Sequence, residues 1–263
     1  MEANESMNSN SEQTLIQPSE PDNFEPSAST FFFILAGCLF AIVFMSYLFT
    51  PLAEKIKIHK RNLAHRAVSK SNLKQIGLAL AFYHEENQTF PPGATVAPNG
   101  TPQHSWQTSL LPFMDQSGLF EQINFEKPWN DPENQESFQQ QVSTYLAPWV
   151  EEKYSAEGYA LSHYVGNELL LKQNQGMPLS QITDGASNTI MAVDRADHFK
   201  AWGDPANLAR PADIIGPDKK TLLPGGSLVL FSDGSVRFVS NKINPQIIKD
   251  LSTPDGGEAK CEF

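Results

Sequence analysis

Apolar and polar residues are sorted along this chain into blocks. Residues 1–30 are rich in Ser, Asn, Glu and Pro and nearly free of aliphatic side chains. Such a segment buries too little apolar surface to offset its ordering entropy. It is predicted to be a disordered acidic tail. Residues 31–49, FFFILAGCLFAIVFMSYLF, then run without a charge. As a helix, 19 residues rising ~1.5 Å each span ~29 Å, close to the ~30 Å hydrocarbon core of a bilayer. The segment upstream is acidic and the apolar run is long, whereas a cleaved signal peptide has a basic start and a shorter core. One uncleaved transmembrane helix over 31–50 is therefore expected, contacting the lipid bilayer directly, with Tyr47 at an interface.

The pattern changes after Thr50. Leu52, Ile56, Leu63, Ala67, Ile76, Leu80 and Tyr83 recur mostly three, four or seven apart, which predicts an amphipathic helix over 51–86. Pro51 should begin or kink it. The run LKQIGLALAF (73–82) is apolar enough to pack on a core, so span and helix together form one long rod or two joined pieces.

Residues 87–263 read as an α+β globular domain. Asn87–Gly100 is turn-rich. Two short helices, Ser105–Phe113 and Gln116–Ile123, should be broken at Pro112. Residues 124–136 form a polar loop, and Gln139–Leu146 a helix ending before Pro148. Tyr159–Val165 and Asn188–Val193 have strand composition, and Phe199–Lys220 is irregular. The clearest signal is Leu228–Phe231 and Val236–Val239 around Asp233-Gly234, a β-hairpin whose turn needs positive φ. Asn244 and Pro245 mark the start of a short helix.

Composition narrows the function classes. The net charge is −11, distributed unevenly. Residues 1–30 hold six acids and no Lys or Arg, residues 51–80 seven bases against one acid, and residues 81–263 twelve bases against 23 acids. An acidic domain argues against nucleic acid as a partner, because phosphates demand clustered bases. The basic stretch behind the span would keep the C-terminal part in the cytoplasm under the positive-inside rule. Two cysteines exclude a disulfide scaffold and a four-cysteine zinc site. Cys38 lies in the span and Cys261 near the C-terminus, so no bridge within the chain is expected.

Candidate chemistry is sparse. His84-Glu85-Glu86 are adjacent on a helix, where side chains diverge by about 100°, and the His-Glu-x-x-His spacing is missing. Asp184, Asp194, Asp197 and Asp233 could serve acid–base work, but the Asp-Gly pairs at 184 and 233 are better read as turns. There is no Gly-x-Ser-x-Gly elbow and no phosphate loop. Trp106, Trp129, Trp149 and Trp202 would line a sugar- or peptide-binding surface or, more simply, pack the core. No catalytic residue, cofactor-binding residue or metal ligand is assigned, and no small-molecule ligand can be named.

Five blocks carry a resemblance: SNLKQIGLALAFYHEENQTFPPGA (71–94), SWQTSLLPFMDQSGLFEQIN (105–124), YVGNE (164–168), ITDGASNTIMAVD (182–194) and VLFSDGSVRFVSNKINPQIIKDLSTPDGGE (229–258). Together they resemble a planctomycete family of prepilin-like proteins of unknown function with a C-terminal His-x9-Asp-Gly signature. The resemblance implies a pilin-like α+β fold: one long N-terminal helix, a membrane span continuing into a helix packed on an antiparallel sheet, with an elaborated globular domain. It implies export across the inner membrane and no known activity. It also suggests calcium at the loop 124–136 or around Asp255 and Glu258, although no EF-hand pattern is present.

The departures are specific. The stretch before the span, EPSAST, lacks the Gly of a prepilin leader, and no acid falls five residues into the apolar run. Ala147 stands where the family has Cys, in Tyr145-Leu146-Ala147-Pro148, and Leu223 stands where it has the signature His. The expectation is a membrane-anchored, non-catalytic structural or interaction protein with an extracytoplasmic domain and a protein partner in the cell envelope. A tethered domain binding a glycan or peptide, or hydrolysing one, is the alternative.

Overall fold

A computed structural model describes residues 27–257. The tail expected over 1–30 lies almost wholly outside these residues, as do Glu258 and Cys261. The chain divides into two units, up to Lys55 and from Ile56 onward.

One helix, α1 (Ala28–Asn87), takes in both the apolar run and the segment after it. The Ser27 hydroxyl accepts the Thr30 amide at 3.4 Å and caps its start. Pro51 lies inside α1 rather than beginning it. A proline has no N–H for the carbonyl four residues back, here that of Tyr47. The Thr50 hydroxyl donates to this Tyr47 carbonyl at 3.4 Å. Hydroxyl side chains are among the groups that let helices in apolar surroundings carry proline. In the first unit the described side chains of the apolar run are exposed, Phe31, Phe40 and Val43 among them. By length and composition α1 can cross a membrane.

From Ile56 onward the helix becomes one-sided. Ser69, Asn72, Leu73, Ile76, Ala79 and Leu80 are buried, while Lys70, Lys74, Gln75, Leu78 and Phe82 are exposed. Each buried aliphatic side chain is worth roughly 1.5–3 kcal/mol. Its partner is a five-stranded sheet built from β4 (Tyr164–Asn167), β5 (Ile190–Asp194), β7 (Leu208–Ala209), β8 (Gly226–Phe231) and β9 (Val236–Ser240), in the order β7-β4-β5-β8-β9. The β4–β7 pair is parallel and the others are antiparallel. Tyr164, Ala192, Leu228 and Leu230 share one core with Leu73, Ile76 and Leu80 of α1. On the opposite face Val165, Ile190, Val193, Val229 and Phe231 pack with Ile215 and Ile248. Short helices α4 (Pro211–Ile214) and α5 (Pro245–Asp250) supply that second cover. The fold is α+β, with the sheet between one long helix and two short ones.

Smaller elements surround this frame. A ribbon, β1 (Ala94–Val96) with β2 (Pro102–Ser105), precedes a 3-10 helix over Thr108–Met114. That helix runs through Pro112 instead of breaking there. It ends at Asp115, whose φ of 55° is left-handed and whose amide returns to the Leu111 carbonyl. Helix α2 (Ser117–Phe120) follows. Helix α3 (Gln135–Phe138) begins inside the stretch expected to be loop, while Gln139–Leu146 holds only a 3-10 turn at Ser143–Tyr145. Packing explains the shift: the fully buried Phe138 ring lies 4.5 Å from that of Trp202, and Tyr145 is equally buried. The strand expected over 159–165 is divided at His163 into β3 (Leu161–Ser162) and β4, and β3 pairs with β6 (Lys200–Ala201). Thus 199–220, expected to be irregular, contributes two short strands and a helical turn.

The β8–β9 hairpin forms as expected, with one refinement. Leu230 pairs with Val236, and the Phe231 amide donates to the Ser235 carbonyl at 2.9 Å, leaving a three-residue loop. Gly234 alone carries the positive φ, 79°. Asn244 caps α5 as expected, accepting the Gln246 amide at 2.9 Å.

Candidate functional site

The hairpin turn approaches α1 closely because the helix has a glycine there. A Cβ on Gly77 would lie 2.8 Å from a Leu230 methyl and 3.4 Å from the Gly234 Cα. Around this meeting is a cleft of about 280 Å³. Its apolar wall comes from Leu80, Phe90, Leu179, Met191 and Phe231, and its polar edge from His84, Ser232 and Asp233. Apolar clefts with a few convergent polar groups are the usual form of a small-ligand site.

Each polar group there has structural work. The His84 Nε2 accepts the Leu179 amide at 3.3 Å, and its ring lies 5.0 Å from that of Phe90. Ser232 donates to the Thr189 carbonyl at 3.1 Å. Asp233 accepts the Ser235 amide within the turn at 2.8 Å. Glu85 and Glu86, next to His84, are exposed. The cleft therefore presents a shaped apolar wall edged by oriented polar groups, and among the described residues no hydrogen bond joins Ser232 to His84 or Asp233.

The other acids have separate roles. Asp184 is more than a turn residue: its carboxylate accepts the amides of Gly256 at 2.7 Å and Gly257 at 2.9 Å. Asp197 holds His198 at 3.0 Å and Lys220 at 3.3 Å, and these contacts keep its carboxyl below the usual range. They lie in a charged hollow that also contains Arg195, Asp213, Asp218 and Lys219, where bases and acids balance. Asp194 is buried at the end of β5, and neither carboxylate oxygen has a hydrogen bond of ordinary geometry among the described residues. Burial pushes its carboxyl up to about 7, tempered by the nearby Leu228 amide and Ser227 hydroxyl. Asp194 is one of the four acids the sequence offers, but its burial is not legible there, because every residue of β5 is buried and alternation is lost.

The tryptophans do not assemble a platform. Trp106 and Trp202 are fully buried, with their indole N–H groups on the carbonyls of Asn207 and Gln140. Trp129 packs on Tyr159, and Trp149 stacks on His65 with ring centres 4.2 Å apart.

The polar loop 124–136 is organised around an amide. Asn134, fully buried, donates to the carbonyls of Asn124 and Pro128, both at 2.9 Å, and accepts the Asn124 amide at 2.8 Å. No group of three or more His, Cys, Asp or Glu side chains able to hold a metal ion occurs among the described residues.

A family model described as a protein of unknown function (DUF1559) matches residues 59–216, more than half of the chain. The chain belongs to this family. The DUF1559 match begins within α1 and ends before β8, so it includes His84, Asp184 and Asp194 but not the hairpin that carries Asp233. No curated protein and no solved structure matches the chain.

Proposed function

We propose that this DUF1559 protein is a single-pass, membrane-anchored interaction protein that performs no catalysis. The observation that carries the reading is the division of labour within α1. Its uncharged run at 31–49 has an exposed apolar surface, and the same helix then supplies Leu73, Ile76 and Leu80 to the core of the second unit. A helix with these two properties suits an anchor that is also a structural part of the domain. In this reading residues 1–30 are a tail, 31–50 the span, 51–86 the connecting helix and 87–263 a pilin-like domain. The protein is a divergent prepilin-like member of planctomycete type, retained uncleaved in the inner membrane with its domain outside. The five residue blocks between 71 and 258 support this. The lost leader glycine and the Leu223 in place of the signature His set it apart from members processed into filaments. Its partners are the bilayer and a protein of the cell envelope, not nucleic acid.

Anchoring is tested by membrane extraction. The full chain should stay in the membrane fraction through alkaline carbonate, and deletion of residues 31–49 should release it. A full chain released by carbonate would contradict the anchor.

A second reading is favoured by one feature, the cleft at Gly77 and Gly234, whose apolar wall and polar edge suit a small amphipathic ligand such as a peptide or glycan fragment. Binding of peptidoglycan fragments or short peptides, read by calorimetry and abolished by Leu80→Trp, would support it. Silence across the panel would remove it.

A further inference from the structure

We propose that residues 147–152 form an acid-released latch whose bolt is the side chain of His163. The segment arches between two fixed points. At one end the Leu146 carbonyl accepts the Asn72 side chain at 2.8 Å, and at the other the Lys153 carbonyl accepts the Leu161 amide at 2.9 Å. Between them, only the histidine ring ties the arch down among the hydrogen bonds of the described residues beyond the arch's own turn. Its Nδ1 accepts the Ala147 amide at 2.8 Å, and its Nε2 lies 2.8 Å from the Glu152 carbonyl.

This geometry fixes the protonation state. A carbonyl can only accept, so Nε2 carries the hydrogen, and an amide can only donate, so Nδ1 must be bare. Both bonds exist only for the neutral ring with its proton on Nε2. A second proton would go on Nδ1 and set N–H against N–H at Ala147. His163 is fully buried, so it cannot turn to water to relieve this clash. The same burial holds its pKa below the usual histidine value. The Glu152 carbonyl and carboxylate favour the charged ring, and Lys153 opposes it. On the far side, the ring meets Phe199, with centres 4.5 Å apart.

The arch also carries an aromatic contact to α1. Trp149 lies at the middle of the arch, its ring parallel within 6° to that of His65 on α1. Protonation of His65 alone would not open this contact, because a cation over an indole face is attracted to it. His65 is itself held below its ordinary pKa by burial and by Arg61. Opening of the arch therefore depends on His163, and its result is a freed 147–152 backbone rather than a change at His65.

The test is amide hydrogen exchange by mass spectrometry on the full chain in detergent micelles, from pH 7.5 to 4.5 and corrected for the intrinsic pH dependence of exchange. The protection of the peptide spanning 147–153 should fall about tenfold per pH unit below the His163 titration, while a peptide spanning 73–80 keeps its protection. Carbon and nitrogen chemical shifts of His163 should report the proton on Nε2 at pH 7.5 and a titration midpoint matching the exchange midpoint. His163→Asn retains an acceptor for Ala147 but cannot titrate, so its 147–153 protection should be independent of pH. Should that variant fail to fold, the match of the two midpoints decides. Constant protection across the range, a simultaneous loss at 73–80, a proton on Nδ1 at pH 7.5, unmatched midpoints, or an equal pH response in the variant would each overturn the latch.

Discussion

The Asp233 amide donates to the Ala186 carbonyl at 3.1 Å, joining the Asp233-Gly234 turn to the segment that follows Asp184-Gly185. The hairpin tip is thus held against the loop before β5, and Gly77 lets α1 close over it from the other side. The two glycines at this junction should respond differently to alanine. Gly234→Ala must hold a side chain at φ 79° and should lose about 1–2 kcal/mol of stability. Gly77→Ala gains about 1 kcal/mol of helix propensity, which offsets part of the contact its Cβ makes at 2.8 Å with a methyl of the buried Leu230, and should cost less than Gly234→Ala. Gly77→Val cannot be so accommodated and should cost about 1–3 kcal/mol. Thermal melts of the three variants check this order.

Asp194 should make the fold less stable at high pH. Its folded pKa, about 7, is above the ordinary carboxylate value, so the folded state keeps a proton that the unfolded state has given up. That contribution is full below about pH 4 and is lost as pH rises through about 7. Asp194→Asn removes the titration. The variant should gain on the wild type between pH 4 and 8 by on the order of 4 kcal/mol, from about three pKa units at ~1.4 kcal/mol each. Urea melts at both pH values measure the gap, and an unchanged gap would contradict it.

His104 acts with the opposite sign. It is buried against Phe125 and Phe138, and neither ring nitrogen has a hydrogen bond of ordinary geometry among the described residues. Burial lowers its pKa to about 4, with the Lys127 backbone acting against the shift. The unfolded state therefore takes up a proton first, and stability is lost as pH falls from about 6.5 towards 4. His104→Phe should flatten that part of the profile while leaving the melt at pH 8 within a few degrees.

Asn134 should be the most sensitive residue of the loop 124–136. Asn134→Ala strands carbonyls and an amide around a buried site and should cost about 1–3 kcal/mol. Added calcium should not restore the lost stability, since the amide supplies donors where an ion would supply charge. A calcium-dependent rise in the melting temperature of the wild type would contradict this view of the loop.

These sites also show what could be read from sequence and what could not. The apolar run, the helical spacing to Tyr83 and the β8–β9 hairpin were legible because each has a local period or a turn residue with one conformational use. The two-residue strands β6 and β7 have no period to detect. The break at His163 is tertiary, set by an arch that returns to bind its ring. The cleft combines His84 and Asp233, which are far apart in the chain and belong to separate sequence features, a helix end and a turn. Only the packing of the hairpin on Gly77 brings them to one place. Asp194 is visible in the sequence as an acid, but its burial follows from cover on both faces of β5.

The most direct test of the central claim uses Cys261, the one cysteine outside the apolar run. Cells whose outer membrane has been opened are treated with a membrane-impermeant maleimide, with detergent-solubilised protein as the reactivity control. Labelling of intact spheroplasts is the predicted result and agrees with a domain anchored on the outer side of the inner membrane. Labelling only after lysis would contradict it, and would mean that the seven bases following the span hold the domain in the cytoplasm.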